Sequence, residues 1–281
     1  MKKTKVAICY DFDGTFFPKT ILDYDFLNKI GIDADTFWDE LHHFTKKMHS
    51  DHVLAYMHFV MQKVKEKKLP FTHQLLHDIG KNLPLFPGVD TWFDRINQYG
   101  KENGLIVEHY LISSGLLEVI KGNAISKKFK HIYASSFMHD EKGNTIWPAL
   151  AINYTNKTQY IFRINKGCMN VDDPGVNAFL PDKKRYIPLS QFIYIGDGYT
   201  DVPCMRLIKN ENGHSIAVYD PEDEKNKNVA QQLFKEGRVN FMAKADYSSG
   251  SMMEKILQSI LDKIKVDSKI EDLKKHCRSI K

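Results

Sequence analysis

The stretch VAICYDFDGTFF, residues 6–17, joins a core-type strand to two carboxylates. Residues Val6–Tyr10 are apolar or nearly so, which is typical of a strand buried on both faces. Asp11 and Asp13 follow directly, with Gly14 close behind. An ionised carboxylate is costly to bury unless it is paired or bound to a metal. The pattern therefore indicates a site that uses the two charges.

Composition predicts a globular chain with one large core and a smaller appended domain. The 281 residues are 42% hydrophobic and 27% charged, which is ordinary for a soluble protein. The net charge of +5 comes from scattered lysines, without the dense basic stripe or module of a nucleic-acid-binding protein. We interpret the excess as solvated surface, and a mild attraction for anionic substrates stays open as the alternative.

Cysteine usage and the N-terminus predict a reduced, cytoplasmic protein. The cysteines form no CxxC motif and no metal-like spacing; they are Cys9, Cys168, Cys204 and Cys277. The N-terminal MKKTKVAICY imitates the start of a signal peptide, but Asp11 interrupts the apolar segment. No run approaches the roughly 18 apolar residues of a membrane span. We therefore expect no membrane partner.

Short apolar runs alternate with amphipathic segments along most of the chain. Strands are predicted at 5–10, 107–113, 131–136, 191–196, 215–219 and 239–245. Helices are predicted at 89–103, 116–129, 158–164, 229–236 and 252–265. This alternation predicts an α/β fold, a Rossmann-like, mostly parallel sheet with helices on both faces.

Two segments break the alternation. Residues 18–83 contain no convincing strand and predict several helices, with Asp35 as the N-cap of one and Ser50 or Asp51 at the start of the next. We expect this helical insertion to form a small all-helical cap domain after the first strand, with 1–17 and 84–281 as the core. The second break, residues 131–153, predicts a β-hairpin that turns at DEKGN, residues 140–144.

Polar residues that could take part in catalysis or ligand binding follow several predicted strands. Ligands of an open parallel sheet gather at the carboxyl ends of its strands. The candidates there are Asp11, Asp13, Ser113, Ser114, Asp197, Gly198 and Asp201, and Lys157 begins the helix after the hairpin. Several carboxylates brought together need a hard cation, and oxygen ligands favour Mg²⁺.

The same set suits phosphoryl transfer. A carboxylate can act as a nucleophile, and a second one nearby can move the proton. A serine hydroxyl and a lysine can hold phosphoryl oxygens as charge redistributes. Gly14 and Gly198 would let the backbone approach the ligand closely.

This arrangement resembles the haloacid dehalogenase superfamily, on its phosphatase side, with the four motifs in the family's order. DFDGT and LISSG are similar to the first two motifs. The resemblance implies that Asp11 is the nucleophile, Asp13 the acid and base, and Ser113 a phosphate ligand. The insertion after DFDGT is similar in position to the family's first-type cap, as in phosphoserine phosphatase-like members.

The remaining motifs complete the implied site. Lys157 is similar to the third motif, although Lys166 competes for that role, and GDGYTD is similar to the fourth. The resemblance implies that Asp11, Asp13 and Asp197 hold Mg²⁺, with Asp13 contributing its backbone carbonyl. It also implies that Asp201 supports the site.

The function expected from this resemblance is a magnesium-dependent phosphatase that hydrolyses a small phosphorylated metabolite through an aspartyl-phosphate. Asp13 argues against dehalogenase chemistry, because a halide leaving group needs no proton. A phosphotransferase or mutase, and a regulatory protein that only binds phosphate, remain alternatives. The sequence does not identify the substrate, the residues that set specificity, or the oligomeric state.

Two further features stay open at this point. The segment at 166–190 is longer than a simple helix–strand connection needs, and it could form part of the active-site rim or lie far from it. The insertion also contains a group of histidines, which could face the substrate or, less simply, bind a transition metal. They are His42, His43, His49, His52 and His58.

Overall fold

A seven-stranded sheet forms the centre of the computed structural model, which describes residues 3–18, 20, 26–29 and 31–279. The strands are β1 (Thr4–Tyr10), β2 (Leu105–Leu116), β3 (His131–His139), β4 (Thr145–Leu150), β5 (Phe192–Gly196), β6 (His214–Tyr219) and β7 (Phe241–Lys244). Their order is β4-β3-β2-β1-β5-β6-β7. All neighbours pair in parallel except β3 and β4, which confirms the predicted hairpin and α/β class.

Strand β1 lies between β2 and β5, and the chain changes direction across the sheet at this strand. Cys9 is opposite Tyr110 of β2 on one side and Tyr194 of β5 on the other. The chain builds outward from β1 through β2 and β3, then returns to the other side as β5. Such a reversal opens a crevice at the carboxyl ends of the two strands that flank it.

Helices cover both faces of the sheet, which explains the continuous apolar sequence of β1. They are α5 (Val89–Glu102), α6 (Leu117–Gly122), α7 (Lys157–Lys166), α8 (Val202–Asn210), α9 (Glu224–Lys235) and α10 (Met252–Ser279). Val6, Ile8 and Tyr10 belong to the core formed with α5, α6 and α10. Ala7 and Cys9 point to the opposite core, formed with α7, α8 and α9. This period-2 alternation is that of a strand buried on both faces.

The helical insertion contains α1 (Leu27–Lys29), α2 (Ala34–Met48), α3 (His52–Glu66) and α4 (His73–Gly80) among the described residues. The prediction of Asp35 as the N-cap of α2 is wrong. Asp33 caps this helix, because its Oδ2 accepts a hydrogen bond from the Thr36 amide at 2.9 Å. Asp51 caps α3 through the amides of Val53 and Leu54. The assignment of residues 18–83 as a separate domain remains a prediction.

The helix predicted at 116–129 is interrupted. Helix α6 ends at Gly122, Asn123 is extended, and a 3₁₀ helix follows at Ala124–Lys128. The cause is tertiary packing of α6 on α4: a β-carbon on Gly122 would lie 1.9 Å from the backbone oxygen of His77. Asn123 links the same elements by donating from Nδ2 to the Gly80 carbonyl at 3.2 Å.

Helix α10 continues well beyond the predicted end at residue 265. Its last buried side chain is Ile264, and the following turns to Ser279 are exposed. Within the described ranges, none of the helices combines the length and apolar character needed to cross a bilayer.

Candidate active site

A cavity of about 500 Å³ opens at the carboxyl edge of the sheet, beside the reversal at β1. Asp11 directly follows β1 and Asp197 directly follows β5, so the two strands deliver both carboxylates to one place. The Asp11 amide donates to the Ile195 carbonyl at 2.9 Å, which extends the pairing of these strands to the cavity. Asp11 is buried, whereas Asp197 is half-buried.

The turn after β1 places Asp11 and Asp13 on the same cavity. The Gly14 amide donates to the Phe17 carbonyl at 2.7 Å, and the Thr15 amide to the Phe12 carbonyl at 3.1 Å. Gly14 adopts a φ of 70°, a conformation that favours glycine. Phe12, Phe16 and Phe17 of the turn are buried in the core, and this packing fixes the position of the turn that carries the two carboxylates.

Ser113 and Ser114 reach the cavity because β2 leaves its pairing with β3 at this point. Ser113 pairs with Ala134 and Leu116 pairs with Ser135, so Ser114 and Gly115 have no partner in the β2–β3 ladder. The hydroxyl of Ser113, which is 1% exposed, accepts a hydrogen bond from the Gly115 amide at 3.0 Å and keeps its own proton for donation. The irregular end of β2 thus presents hydroxyl and amide groups together.

Lys157 lies at the start of α7, with its ammonium group among the carboxylates. Its Nζ is 2.9 Å from Oδ1 of Asp11 and 2.8 Å from Oδ1 of Asp201, and its side chain is 1% exposed. Lys166, the competing candidate, lies at the other end of α7. Its Nζ donates to backbone carbonyls at 176 and 178, so Lys166 is outside the cavity.

Three carboxylates form a close cluster. One oxygen each from Asp11, Asp197 and Asp201 lie within 4.8 Å of one another. Asp201 is fully buried; its Oδ1 also accepts from the Tyr194 hydroxyl at 2.8 Å, and its Oδ2 has no hydrogen-bond partner. Asn226, at α9, donates from Nδ2 to Oδ2 of Asp197 at 2.9 Å and so orients that carboxylate.

Burial and repulsion within the cluster make Asp11 and Asp197 resist ionisation. Burial, followed by repulsion from Asp201, raises the pKa of Asp11 to about 7 despite the attraction of Lys157. Burial, with Asp11 and Asp201, also raises the pKa of Asp197 well above its usual value. Burial alone would lower the pKa of Lys157, but Asp11 and Asp201 more than offset that and raise it. Lys157 is therefore a permanent cation.

This donor set fits a hard divalent cation. The three close carboxylates share one ammonium group, so ionising all of them leaves negative charge that a bound cation would neutralise. A buried oxygen of Asp201 without a partner points to the same conclusion. Oxygen donors of this kind suit Mg²⁺. Among the described residues, the histidine, cysteine and acidic side chains that come together as a possible metal site are those three aspartates, and the histidines of the insertion are not part of the group.

The structure brings most of the predicted site residues to one cavity; Asp201 and Gly198 are the exceptions. Those that line it are Asp11, Asp13, Ser113, Ser114, Lys157 and Asp197. Asp201 lies beneath them, joined to Lys157. Gly198 is extended, and a β-carbon there would meet no protein atom within 4 Å. Its predicted role, like the assignment of Asp13 as a metal ligand, stays a prediction.

Several cavity residues escaped the sequence prediction. From the connection between β6 and α9 come Asp220, Asp223 and Asn226, and from the helical insertion come Trp38, Val53 and Tyr56. Of the insertion's histidines, which the sequence offered as possible substrate contacts, His52 lines the cavity. A signal existed for the first group, because the sequence DPEDEKN directly follows the strand SIAVY and so must leave the sheet at the same edge. The second group depends on how the insertion packs, which no local pattern reveals.

The long segment after α7 lies away from this cavity. The Tyr186 hydroxyl donates to Oε1 of Glu108 at 2.7 Å, and the Lys5 ammonium lies 3.5 Å from the centre of the Tyr186 ring. Lys5 is near the beginning of β1, and Glu108 is in the first part of β2. The segment therefore packs toward the amino edge of the sheet, and the alternative of an active-site rim is not supported.

Comparison with known proteins agrees with this architecture. A HAD family hydrolase from Salmonella enterica serovar Typhi superposes with a TM-score of 0.59 at 16% identity, over 92% of this chain and 72% of that one. A phospho-aspartyl intermediate analogue of phosphoserine phosphatase superposes with a TM-score of 0.53 at 16% identity, over 92% and 100% of the two chains. The chain therefore has the fold of these haloacid dehalogenase (HAD) family hydrolase and phosphoserine phosphatase structures.

Comparison of sequences says less about this protein than comparison of structures. No protein-family model matches the chain. An uncharacterized protein of Borreliella burgdorferi is 28% identical over 287 residues, which covers 91% of this chain and 98% of that protein. A probable phosphoserine phosphatase from Vibrio cholerae shares the fold, with a TM-score of 0.55, at only 11% identity over 94% of this chain and 67% of that one. Across this haloacid dehalogenase fold, similarity therefore lies in the backbone more than in the sequence.

Proposed function

We propose that this protein is a magnesium-dependent phosphatase that hydrolyses small phosphate monoesters through an aspartyl-phosphate on Asp11. The observation that carries the proposal is the position of Lys157, whose buried ammonium contacts the carboxylates of Asp11 and Asp201. A cation fixed beside a nucleophilic carboxylate can hold the oxygens of an incoming phosphoryl group. The phosphatase-like fold supports the same reaction class.

In the first step, the carboxylate of Asp11 attacks phosphorus and the bond to the ester oxygen breaks. Asp13, on the same cavity two residues away, gives its proton to the departing alkoxide. Ser113 donates its hydroxyl hydrogen to a phosphoryl oxygen, since its lone pair already accepts from the Gly115 amide. Lys157 balances the negative charge on the transferring group.

In the second step, Asp13, now a carboxylate, takes a proton from water. The water oxygen attacks the phosphorus, the bond to Asp11 breaks, and inorganic phosphate leaves. Asp11, Asp197 and the backbone carbonyl of Asp13 would hold Mg²⁺, with Asp201 as the third carboxylate of the cluster and Asn226 orienting Asp197. Bound Mg²⁺ supplies positive charge that keeps the carboxylates ionised and neutralises the phosphoryl oxygens.

The proposal is tested by phosphate release from a panel of small esters, with Mg²⁺ and with EDTA. We expect metal-dependent release that Asp11→Asn abolishes, with phosphate binding largely kept in the variant. Binding by wild type without turnover of any ester would favour the regulatory alternative. Adding glycerol as an acceptor tests the phosphotransferase alternative, because a phosphotransferase would form glycerol phosphate in place of inorganic phosphate.

The proposed partner is a small-molecule phosphate ester, because the cavity of about 500 Å³ is of the size that binds metabolites. The proposed compartment is the reducing cytoplasm, supported by thiols that are all free at Cys9, Cys168, Cys204 and Cys277. To test the proposed compartment, the protein would be isolated without reductant, unfolded and treated with a thiol-specific reagent. We expect four reactive thiols.

A further inference from the structure

Flat and apolar side chains form one wall of the cavity. The insertion contributes Trp38, His52, Val53 and Tyr56, and the core contributes Leu116 and Tyr154. A phosphoryl group bound at Asp11 and Lys157 fills only the polar end of the cavity. The rest of the substrate, the alcohol portion, must therefore lie against this aromatic wall.

The insertion holds its part of the wall firmly. Asp51 caps α3 and also accepts a hydrogen bond from Nδ2 of Asn153 at 2.6 Å. The Tyr56 hydroxyl donates to the Ser114 carbonyl at 2.8 Å. These two bonds tie the first turns of α3 to the core on either side of the cavity, so the wall is preorganised.

Trp38 and His52 provide parallel rings. Their centroids are 6.2 Å apart with an interplanar angle of 23°, and the ring of Phe37 packs edge-on against Trp38 at 5.3 Å. Burial lowers the pKa of His52, so its ring is neutral at pH 7. Both side chains are half-buried and line the cavity.

We propose that the alcohol portion of the substrate is a flat aromatic or heteroaromatic ring, bound against the wall formed by Trp38 and His52. This inference rests on the proposed phosphatase function. Aromatic rings favour offset or edge contacts with one another beyond the area they bury, by a factor of roughly 2 to 12 in affinity. Phosphoserine, which carries no ring to pack against this wall, is predicted to be a poor substrate.

The test compares two esters that differ in flatness alone. Benzyl phosphate and cyclohexylmethyl phosphate have similar leaving groups and size, so intrinsic reactivity is matched. With wild-type protein and Mg²⁺, kcat/KM should be roughly 2- to 12-fold higher for benzyl phosphate and lower still for phosphoserine. Trp38→Leu should remove the preference. Trp147→Leu, at an exposed position on β4 outside the cavity, should keep it.

Tyr154→Leu serves as a second variant, because Tyr154 is 46% exposed and its loss should not unfold the protein. Equal kcat/KM for the two esters in wild type, or an equal loss for both in Trp38→Leu, would overturn the inference while leaving the phosphatase function intact. Failure to hydrolyse any ester would count against the phosphatase function. Calorimetry with benzylphosphonate and cyclohexylmethylphosphonate then decides the inference without turnover: tighter binding of the flat ring supports it, and equal binding refutes it.

Discussion

Gly14 and Asp197 approach so closely that a β-carbon on Gly14 would lie 2.2 Å from Oδ2 of Asp197. Gly14 belongs to the turn that carries Asp13, and Asp197 belongs to the carboxylate cluster. The absence of a side chain at residue 14 is therefore what allows the end of β1 and the end of β5 to share one site.

Replacement of Gly14 by alanine should reduce phosphatase turnover by at least about 100-fold, since a displacement near 1 Å can have that effect. The added methyl group must push Asp197 away, and the φ of 70° costs roughly 1 kcal/mol more for alanine. Phosphate release and thermal unfolding measure the two effects. Gly104→Ala is the matched control, because its φ is 73° and a β-carbon there meets no atom within 4 Å. Equal losses of activity in both variants would mean that backbone strain, not the contact with Asp197, is responsible.

Lys157→Met should lower both stability and turnover. Removing one partner of a buried ionic cluster typically destabilises a protein by about 3–5 kcal/mol. Asp11 and Asp201 would then face each other without the ammonium that contacts both. Urea unfolding at pH 7 and phosphate release measure the outcomes, and we expect turnover to fall at least about 100-fold through lost charge stabilisation.

Lys166→Met provides the comparison on the same helix. Lys166 donates to the carbonyls of Val176 and Ala178, so the change should cost on the order of 1 kcal/mol and leave kcat/KM unaltered. Normal turnover in Lys157→Met together with loss in Lys166→Met would reverse the assignment of the two lysines.

Asn226→Ala should weaken magnesium binding by about 10-fold or more, the usual effect of removing a group that orients a metal ligand. Asn226 holds Oδ2 of Asp197 at 2.9 Å. Calorimetric titration with Mg²⁺ in the absence of substrate, and the Mg²⁺ dependence of turnover, both report the change. Asn228→Ala, at an exposed position of α9, should behave as wild type. Saturating Mg²⁺ should restore much of the lost turnover; a variant that saturates normally yet turns over slowly would assign Asn226 to substrate instead.

Much of the core and site followed from local sequence patterns. An apolar run that ends in DFDGT specifies a buried strand with carboxylates at its tip, and GDGYTD does the same after β5. The parallel sheet then brings Asp11 and Asp197 to one edge, since all such strands end there. No detail of packing is needed for that conclusion.

Features that depend on contacts between distant segments were not predictable in this way. The break between α6 and the following 3₁₀ helix comes from the approach of Gly122 to the backbone of α4. Likewise, Asn226 is one polar residue among many in DPEDEKNKN until the fold sets it against Asp197. The error at Asp35 is different: two aspartates two residues apart were both suitable caps, and only the amide of Thr36 shows that Asp33 is used.

His109 makes the stability of the core depend on pH. The Trp92 indole donates to the Tyr10 hydroxyl at 3.1 Å, the hydroxyl lies 3.0 Å from Nδ1 of His109, and Nε2 lies 3.2 Å from Oδ1 of Asn97. Because Oδ1 of Asn97 can only accept, Nε2 carries a hydrogen and donates it to Asn97. In a neutral imidazole Nδ1 then accepts the proton of the Tyr10 hydroxyl, whose oxygen accepts from Trp92.

Burial lowers the pKa of His109 to about 3, well below the value of about 6.5 expected in the unfolded chain. The unfolded state therefore binds more protons between these values, so this group's contribution to stability is fully present above pH 6.5 and is lost as the pH falls toward 3. Between pH 8 and pH 5, His109 alone should remove about 2 kcal/mol from the free energy of unfolding.

His109→Gln should be less stable than wild type at pH 8, since it loses part of the packing around Tyr10, yet it should lose about 2 kcal/mol less on acidification to pH 5. Urea unfolding at pH 8, 7, 6 and 5 measures both curves, and the carboxylates common to the two proteins cancel in the difference. His276→Gln, on the exposed end of α10, should retain the wild-type dependence. Parallel curves for wild type and His109→Gln would show that His109 is not held neutral, and the hydrogen-bond directions assigned to Tyr10 would then be wrong.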